Sequence, residues 1–399
     1  MRVGLITMHR VVNCGSQLQT IALYKIVSEL GFCCVVIDYE YPALFHYSKR
    51  MGTGNWCSLK GIIKRVLFRL GLLKPVQWIN MKRFEVKQHT KMVKGWQGLR
   101  FTKMYNRRSI KRRPPVFDVY LVGSDQVWNP HCMVGDYTYL LDFPPAGKRK
   151  VAYSSSFGVK SLPEDEVKRY KELLSKFDAI GTRESSGVDI IEAMGINGAV
   201  AVLDPTMLLS RKEWEAYATN RRLHKGRYIF CYILSYVFKS TPWIIHYIKR
   251  VAEVLYCDVV FYGGGEQDCI PEAKAAGFHI ISNYITPQDM VRYYADAEYI
   301  IANGFHGSAF AIVLDKQCTI VTNPNPTNDD RVVSLLNRTG YIPRAIKCGE
   351  EDCNLSKEWL VGRSIDRAKF ERLQKKSMEF LKCALMGEVY PATYGQARD

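Results

Sequence analysis

The sequence predicts an α/β protein made of two Rossmann-like domains that face each other across a cleft. Three observations predict it. Short apolar runs alternate with amphipathic stretches, the pattern of parallel strands covered by helices. The alternation stops at Asp204-Pro205-Thr206 and then begins again. Polar phrases follow several of the apolar runs, and that is where open α/β sheets receive ligands.

Taken in order, residues 2–7 read as a strand, 16–30 as a helix stopped by Gly31, and 33–39 as a second strand. Further strands are expected near 116–122, 150–154, 178–181 and 199–203, with helices near 163–176 and 184–194. In the second half, strands near 227–234, 257–262, 278–281, 298–302 and 318–321 alternate with helices near 242–255, 286–295, 307–315 and 329–338. An amphipathic helix near 365–386 follows, with Phe370, Leu373, Met378, Phe380, Leu381 and Leu385 among its apolar positions. The expected domains are 1–206, with a basic helical insertion at 49–113, then 207–345, then a C-terminal helical segment and tail over 346–399.

The 399 residues are 47% hydrophobic and 24% charged, the balance of a globular protein with a sizeable core. Twelve cysteines form no CxxC pair and no regular spacing, so neither a zinc site nor a disulfide framework is expected. Met1–Thr7 lacks the long apolar region of a signal peptide, and no run of about 18 apolar residues occurs. A cytoplasmic protein is expected.

The net charge of +17 is concentrated in one segment. Lys49 to Arg113 holds 19 lysines and arginines and one acid, Glu85. Within it, a helix over Ser58–Leu70 would put Leu59, Ile62, Ile63, Val66 and Leu70 on one face, with Lys60, Lys64 and Arg65 away from it. A basic amphipathic helix suits an anionic membrane surface. A solvated face on a core-packing helix is the competing reading. No known nucleic-acid motif accompanies the basic residues, so no nucleic-acid partner is expected.

Four phrases carry candidate chemistry. Gly123-Ser124-Asp125-Gln126-Val127-Trp128-Asn129-Pro130 leaves the apolar run Val116–Val122. A turn alone does not need a hydroxyl, a carboxylate, an amide and an indole so close together; the alternative is a packed turn with Trp128 plugging the core. Asn13-Cys14-Gly15-Ser16-Gln17 lies at a helix start, which suits anions and hydroxyl-rich ligands but also describes an ordinary cap. No GxGxxG is present. Asn303-Gly304-Phe305-His306-Gly307-Ser308 puts His306 at a strand end on a helix start, where an imidazole can meet an anion and move a proton. Gly181-Thr182-Arg183-Glu184 offers Arg183 to a carboxylate or phosphate, or else to a surface pair with Glu184. Gly263-Gly264-Gly265-Glu266 is a weaker signal.

Together these phrases resemble the polysaccharide pyruvyl transferase family. The matching segments are Asn13–Gln19, Gly123–Asn129, Ala152–Gly158, Arg183-Glu184, Leu203–Thr206, Phe305-His306-Gly307 and Asp330-Arg331-Val332, in the family's order over roughly residues 1–340. The resemblance implies a glycosyltransferase-B-like fold. It implies phosphoenolpyruvate as co-substrate, no cofactor or metal, and a sugar acceptor in a polysaccharide or lipid-linked glycan precursor. The product would be a pyruvate ketal.

The resemblance makes His306 and Arg183 the catalytic candidates, with Phe305, Gly307, Ser308 and Arg331 joining them on the donor. It places Asn13, Gly15, Ser16, Gln17, Ser124, Asp125, Gln126 and Trp128 on the acceptor side. Gly304 is a departure, because some members carry an arginine two residues before the histidine. A lysine found downstream in some members also has no clear match. A nucleotide-sugar-dependent glycosyltransferase of the same fold and a non-catalytic membrane-surface-binding relative are the alternatives.

Overall fold

A computed structural model describes residues 1–11, 13–40, 95–133, 135–234, 238–263, 269–281, 285–325, 331–350, 355–362 and 365–391. The expected helix at Ser58–Leu70 and most of the Gly263–Glu266 phrase lie outside these residues.

Two six-stranded parallel sheets are present. The first contains β1 (Arg2–Ile6), β2 (Cys33–Val36), β3 (Val119–Val122), β4 (Arg149–Ser155), β5 (Ala179–Thr182) and β6 (Val200–Ala201), in the order β2-β1-β3-β4-β5-β6. The second contains β7 (Tyr228–Ile233), β8 (Asp258–Gly263), β9 (His279–Ile280), β10 (Tyr299–Ala302), β11 (Cys318–Thr322) and β12 (Ala345–Lys347). Its order is β12-β11-β10-β7-β8-β9, the doubly wound Rossmann arrangement. The expectation of two Rossmann-like domains is met.

The strands read as continuous apolar runs because helices cover both faces. In β3, Val119 and Leu121 join one core cluster while Tyr120 and Val122 join another. In β10, Ile300 and Ala302 face one way and Tyr299 and Ile301 the other. The cluster shared by both halves lies between the sheets. It holds Leu18 and Leu23 of the helix Cys14–Glu29, Trp214, Phe310 of the helix Phe305–Val313, and Phe380.

Three boundaries differ from expectation. The first helix starts at Cys14, two residues early, because the Asn13 side chain accepts from the Gly15 amide at 2.8 Å. The helix expected near 307 starts at Phe305, so His306 lies in its first turn. The strand β12, beyond the expected set, adds an edge to the second sheet and crosses the 345/346 boundary.

The long C-terminal helix, Arg367–Met386, ties the halves together. Near its start Arg367 donates to Asp315 at 2.8 Å in the second half. Further along, Ser377 Oγ accepts from the Leu203 amide at 2.9 Å and Phe380 packs against Tyr153 in the first half. Among the described residues, no helix is long and apolar enough to cross a membrane.

Candidate active site

The polar phrases gather at the points where strand order reverses. In the first sheet β1 lies between β2 and β3, so the loops after β1 and β3 border a crevice. In the second, β7 lies between β8 and β10. There Asn303 bridges the loops after β7 and β10: its Oδ1 accepts from the Leu234 amide at 2.7 Å and its Nδ2 donates to the Leu234 carbonyl at 3.2 Å.

The two crevices meet through Gly15 and His306. A Cβ placed on Gly15 would overlap the His306 imidazole, so the helix Cys14–Glu29 approaches the ring with bare backbone. Each residue lies in the first turn of its helix. Two helix N-termini from opposite sheets therefore converge on one point, and helix N-termini favour negative charge.

The loop after β3 is held in an uncommon shape. Gly123 has φ +126°, and a side chain there would strike the Tyr153 carbonyl. Asp125 has φ +75°, a left-handed conformation that few non-glycine residues adopt. It is stabilised because the Asp125 carbonyl accepts from Val127 at 2.8 Å and Ser156 at 2.9 Å. The Asp125 carboxylate accepts from the Ser16 hydroxyl, joining the β1 and β3 loops.

Arg183 is the centre of charge. Its side chain is only 1% exposed, and its Nη1 lies 3.5 Å from Asp125 Oδ1 and 3.5 Å from Asp204 Oδ2. Nε lies 3.7 Å from Glu184 Oε2, and the guanidinium stands 4.1 Å from the centre of the Phe305 ring. Arg183 and Glu184 are thus both buried rather than a surface pair. Arg338 supports this corner by donating to the Arg183 carbonyl at 3.0 Å and the Ala201 carbonyl at 2.8 Å.

Asp204 completes the cluster. It is fully buried, and its Oδ2 lies 3.7 Å from His306 Nε2. Burial pushes the Asp204 carboxyl up, but His306, Arg183 and the Thr206 amide outweigh burial and hold it well below the ordinary carboxylate range. Burial likewise raises Asp125, and Arg183, His306 and the Ser16 hydroxyl more than offset it. Two ionised carboxylates therefore face one arginine and one histidine in a buried site. Arg183 Nε and Nη2, Glu184 Oε2 and His306 Nε2 are buried without a hydrogen-bond partner among the described residues.

Several expected site residues do not face the cleft. Trp128 is fully buried, its indole N–H donates to the Tyr139 carbonyl at 3.0 Å, and it packs against Phe157 and Phe177. It is a core side chain, not an acceptor platform. The Ser124 hydroxyl is committed to the Ser154 carbonyl and to Asp204. Ser308 is fully buried, and its amide and hydroxyl both donate to the Gly304 carbonyl, so neither is free for an anion.

The remaining residues are placed as follows. Gln17 is buried in the first helix. Gln126 is partly exposed and accepts from Asn129 Nδ2 at 2.6 Å. Gly307 lies in the first turn of its helix, and Arg331 is half-buried at the start of the helix Arg331–Thr339. A Cβ on Gly304 would meet the end of the Leu234 side chain, so leucine lines that position.

Apart from their places in the family resemblance, the sequence reads Asp204 as the end of the first half and Glu184 as a surface partner, neither as a site residue. Cys14 is a further neighbour of the site. Burial pushes its thiol up to about 12, so it is no nucleophile near neutral pH.

A model of the family described as polysaccharide pyruvyl transferase matches residues 13–325. No curated protein matches the chain in a sequence search. Among solved structures, the chain is similar to a Listeria monocytogenes protein named for UDP-N-acetylglucosamine 2-epimerase activity. Identity is 9%, coverage is 98% of both chains, and the TM-score is 0.54. It is also similar to the UDP-GlcNAc 2-epimerase of Neisseria meningitidis, at 10% identity, 96% and 99% coverage and a TM-score of 0.49. AviGT4, a glycosyltransferase involved in avilamycin A biosynthesis, gives 12%, 97% and 96%, and 0.48. At 9% identity the likeness to the Listeria protein concerns the fold alone.

Proposed function

Because this chain belongs to the polysaccharide pyruvyl transferase family, we propose that it moves the pyruvyl group of phosphoenolpyruvate onto two hydroxyls of a sugar. The sugar belongs to a polysaccharide or lipid-linked glycan precursor, and the products are a cyclic pyruvate ketal and phosphate. The observation that carries this reading is the position of His306, in the first turn of one helix, against the first turn of another, with Asp204 behind it.

The reaction needs a proton for the methylene carbon and a base for the attacking hydroxyl. An imidazole serves both near neutral pH. Phosphoenolpyruvate carries up to three negative charges, which the converging helix starts and Arg183 would balance. Asp125, buried but with its side chain 12% exposed and fixed by Ser16, is suited to orient acceptor hydroxyls. The basic segment 49–113 would bring the protein to anionic membrane bearing a lipid-linked acceptor. Liposome co-sedimentation that is unchanged when this segment is deleted would remove that part of the reading.

The test is incubation of the full chain with phosphoenolpyruvate and a panel of sugars, measuring phosphate release and ketal formation. Saturable turnover that is abolished by His306→Ala is expected. No turnover across the panel, together with thermal stabilisation by nucleoside diphosphates and not by phosphoenolpyruvate, would overturn it.

A further inference from the structure

We infer that Asp204 is a positioning residue for His306, holding the ring's Nε2–H so that Nδ1 is the atom that exchanges protons with substrate. This rests on the pyruvyl-transfer reading above. The geometry is specific. Asp204 is fully buried and cannot swing: Oδ1 accepts from the Thr206 amide at 3.0 Å and its hydroxyl at 2.7 Å, while Oδ2 accepts from the Ser124 hydroxyl at 2.8 Å. From that fixed carboxylate, Oδ2 faces His306 Nε2 at 3.7 Å. Nε2 is itself buried and has no hydrogen-bond partner among the described residues. Nδ1 is on the Gly15 side, where the first half meets the ring without a side chain.

A buried carboxylate beside one ring nitrogen selects the tautomer with the proton there and provides counter-charge when the ring is doubly protonated. The other charged or titratable groups around the pair are Arg183, Asp125, Glu184, Arg338 and Tyr153. Arg183 and Asp125 pair with each other. Glu184 reaches Arg183 from the far side, accepting from the Ser156 hydroxyl at 2.7 Å.

The proton balance needs only one shuttle. Starting from the doubly protonated ring, the Nδ1–H bond breaks as the C2–C3 π pair takes that proton and becomes the methyl C–H bond. The first sugar oxygen bonds to C2, and its proton returns to Nδ1. The second sugar oxygen then bonds to C2 as the C2–O bond to phosphate breaks, its electron pair leaving on phosphate. The second hydroxyl proton ends on phosphate. Throughout, Nε2 keeps its proton, facing Asp204 Oδ2 at 3.7 Å.

Asp204→Asn keeps the size of the side chain and an oxygen for Thr206, so the fold should persist, checked by thermal unfolding. The expected result is a loss of about 10²–10⁴-fold in kcat with little change in KM for phosphoenolpyruvate. ¹⁵N-histidine NMR should place the proton of neutral His306 on Nε2 in the wild type and redistribute it in Asp204→Asn. A kcat within about threefold of wild type, or a wild-type proton on Nδ1, would overturn the assignment. The NMR measurement does not need turnover. An inactive wild type with its proton on Nε2 would sink the pyruvyl-transfer reading and leave the pair standing.

Discussion

Gly15 and His306 lie in the first turns of helices that follow strands of opposite sheets, and the imidazole fills the space that any side chain at residue 15 would occupy. The closeness of the halves is therefore set by an absent methyl group. Gly15→Ala should push the ring aside or hold the halves apart. Because misplacing a reacting group by about 1 Å can cost about 100-fold, kcat should fall by at least that much. Steady-state kinetics beside a thermal melt would separate this loss from unfolding.

Arg183 is the central cation among buried carboxylates. Arg183→Ala should cost about 3–5 kcal/mol, because Asp125 loses its strongest counter-charge and Asp204 is left with His306 as its cation. The sign with pH follows from the directions of the shifts. Both carboxyls lie below their ordinary range in the folded protein, so wild-type stability from them is full above about pH 4 and declines on further acidification. In the variant, burial raises the same carboxyls, and acid relieves the uncompensated charge. Urea unfolding should show a smaller wild-type-to-variant gap at pH 5 than at pH 7.

Trp128 separates packing from recognition. Trp128→Phe removes the indole donor to the Tyr139 carbonyl and should destabilise by about 1–3 kcal/mol. KM for the acceptor should not change. A selective rise in that KM with unaltered stability would return Trp128 to the cleft.

Thiol accessibility checks the first helix and β2 together. Burial pushes Cys14 and Cys34 up to about 12, whereas Cys33 is exposed. Alkylation of the native protein at pH 8, read by mass spectrometry, should label Cys33 well before Cys14 or Cys34. Early labelling of Cys14 would mean that the helix start is open.

Period and punctuation made the strands and most helices legible, because strands buried on both faces leave uninterrupted apolar runs such as Val119–Val122. Short edge strands carry too few residues for that signal, so β12 escaped and β6 shrank to Val200–Ala201. His306, Arg183 and Asp125 were readable as reactive types at strand ends. Asp204 was not, since its role depends on partners about a hundred residues away in sequence, and an Asp-Pro pair reads locally as a turn. Trp128 misled for the opposite reason: an indole inside a polar phrase does not reveal which way its ring points.

The helix Arg367–Met386 is the last element among the described residues, yet it covers part of the first sheet through Ser377 and Phe380. During synthesis, the amino-terminal half must leave that face bare until residues 367–386 have emerged. At translation speeds of roughly 5–20 residues per second, that is a wait on the order of ten seconds or more. A ribosome-bound chain stopped before residue 367 should therefore expose apolar surface to chaperones.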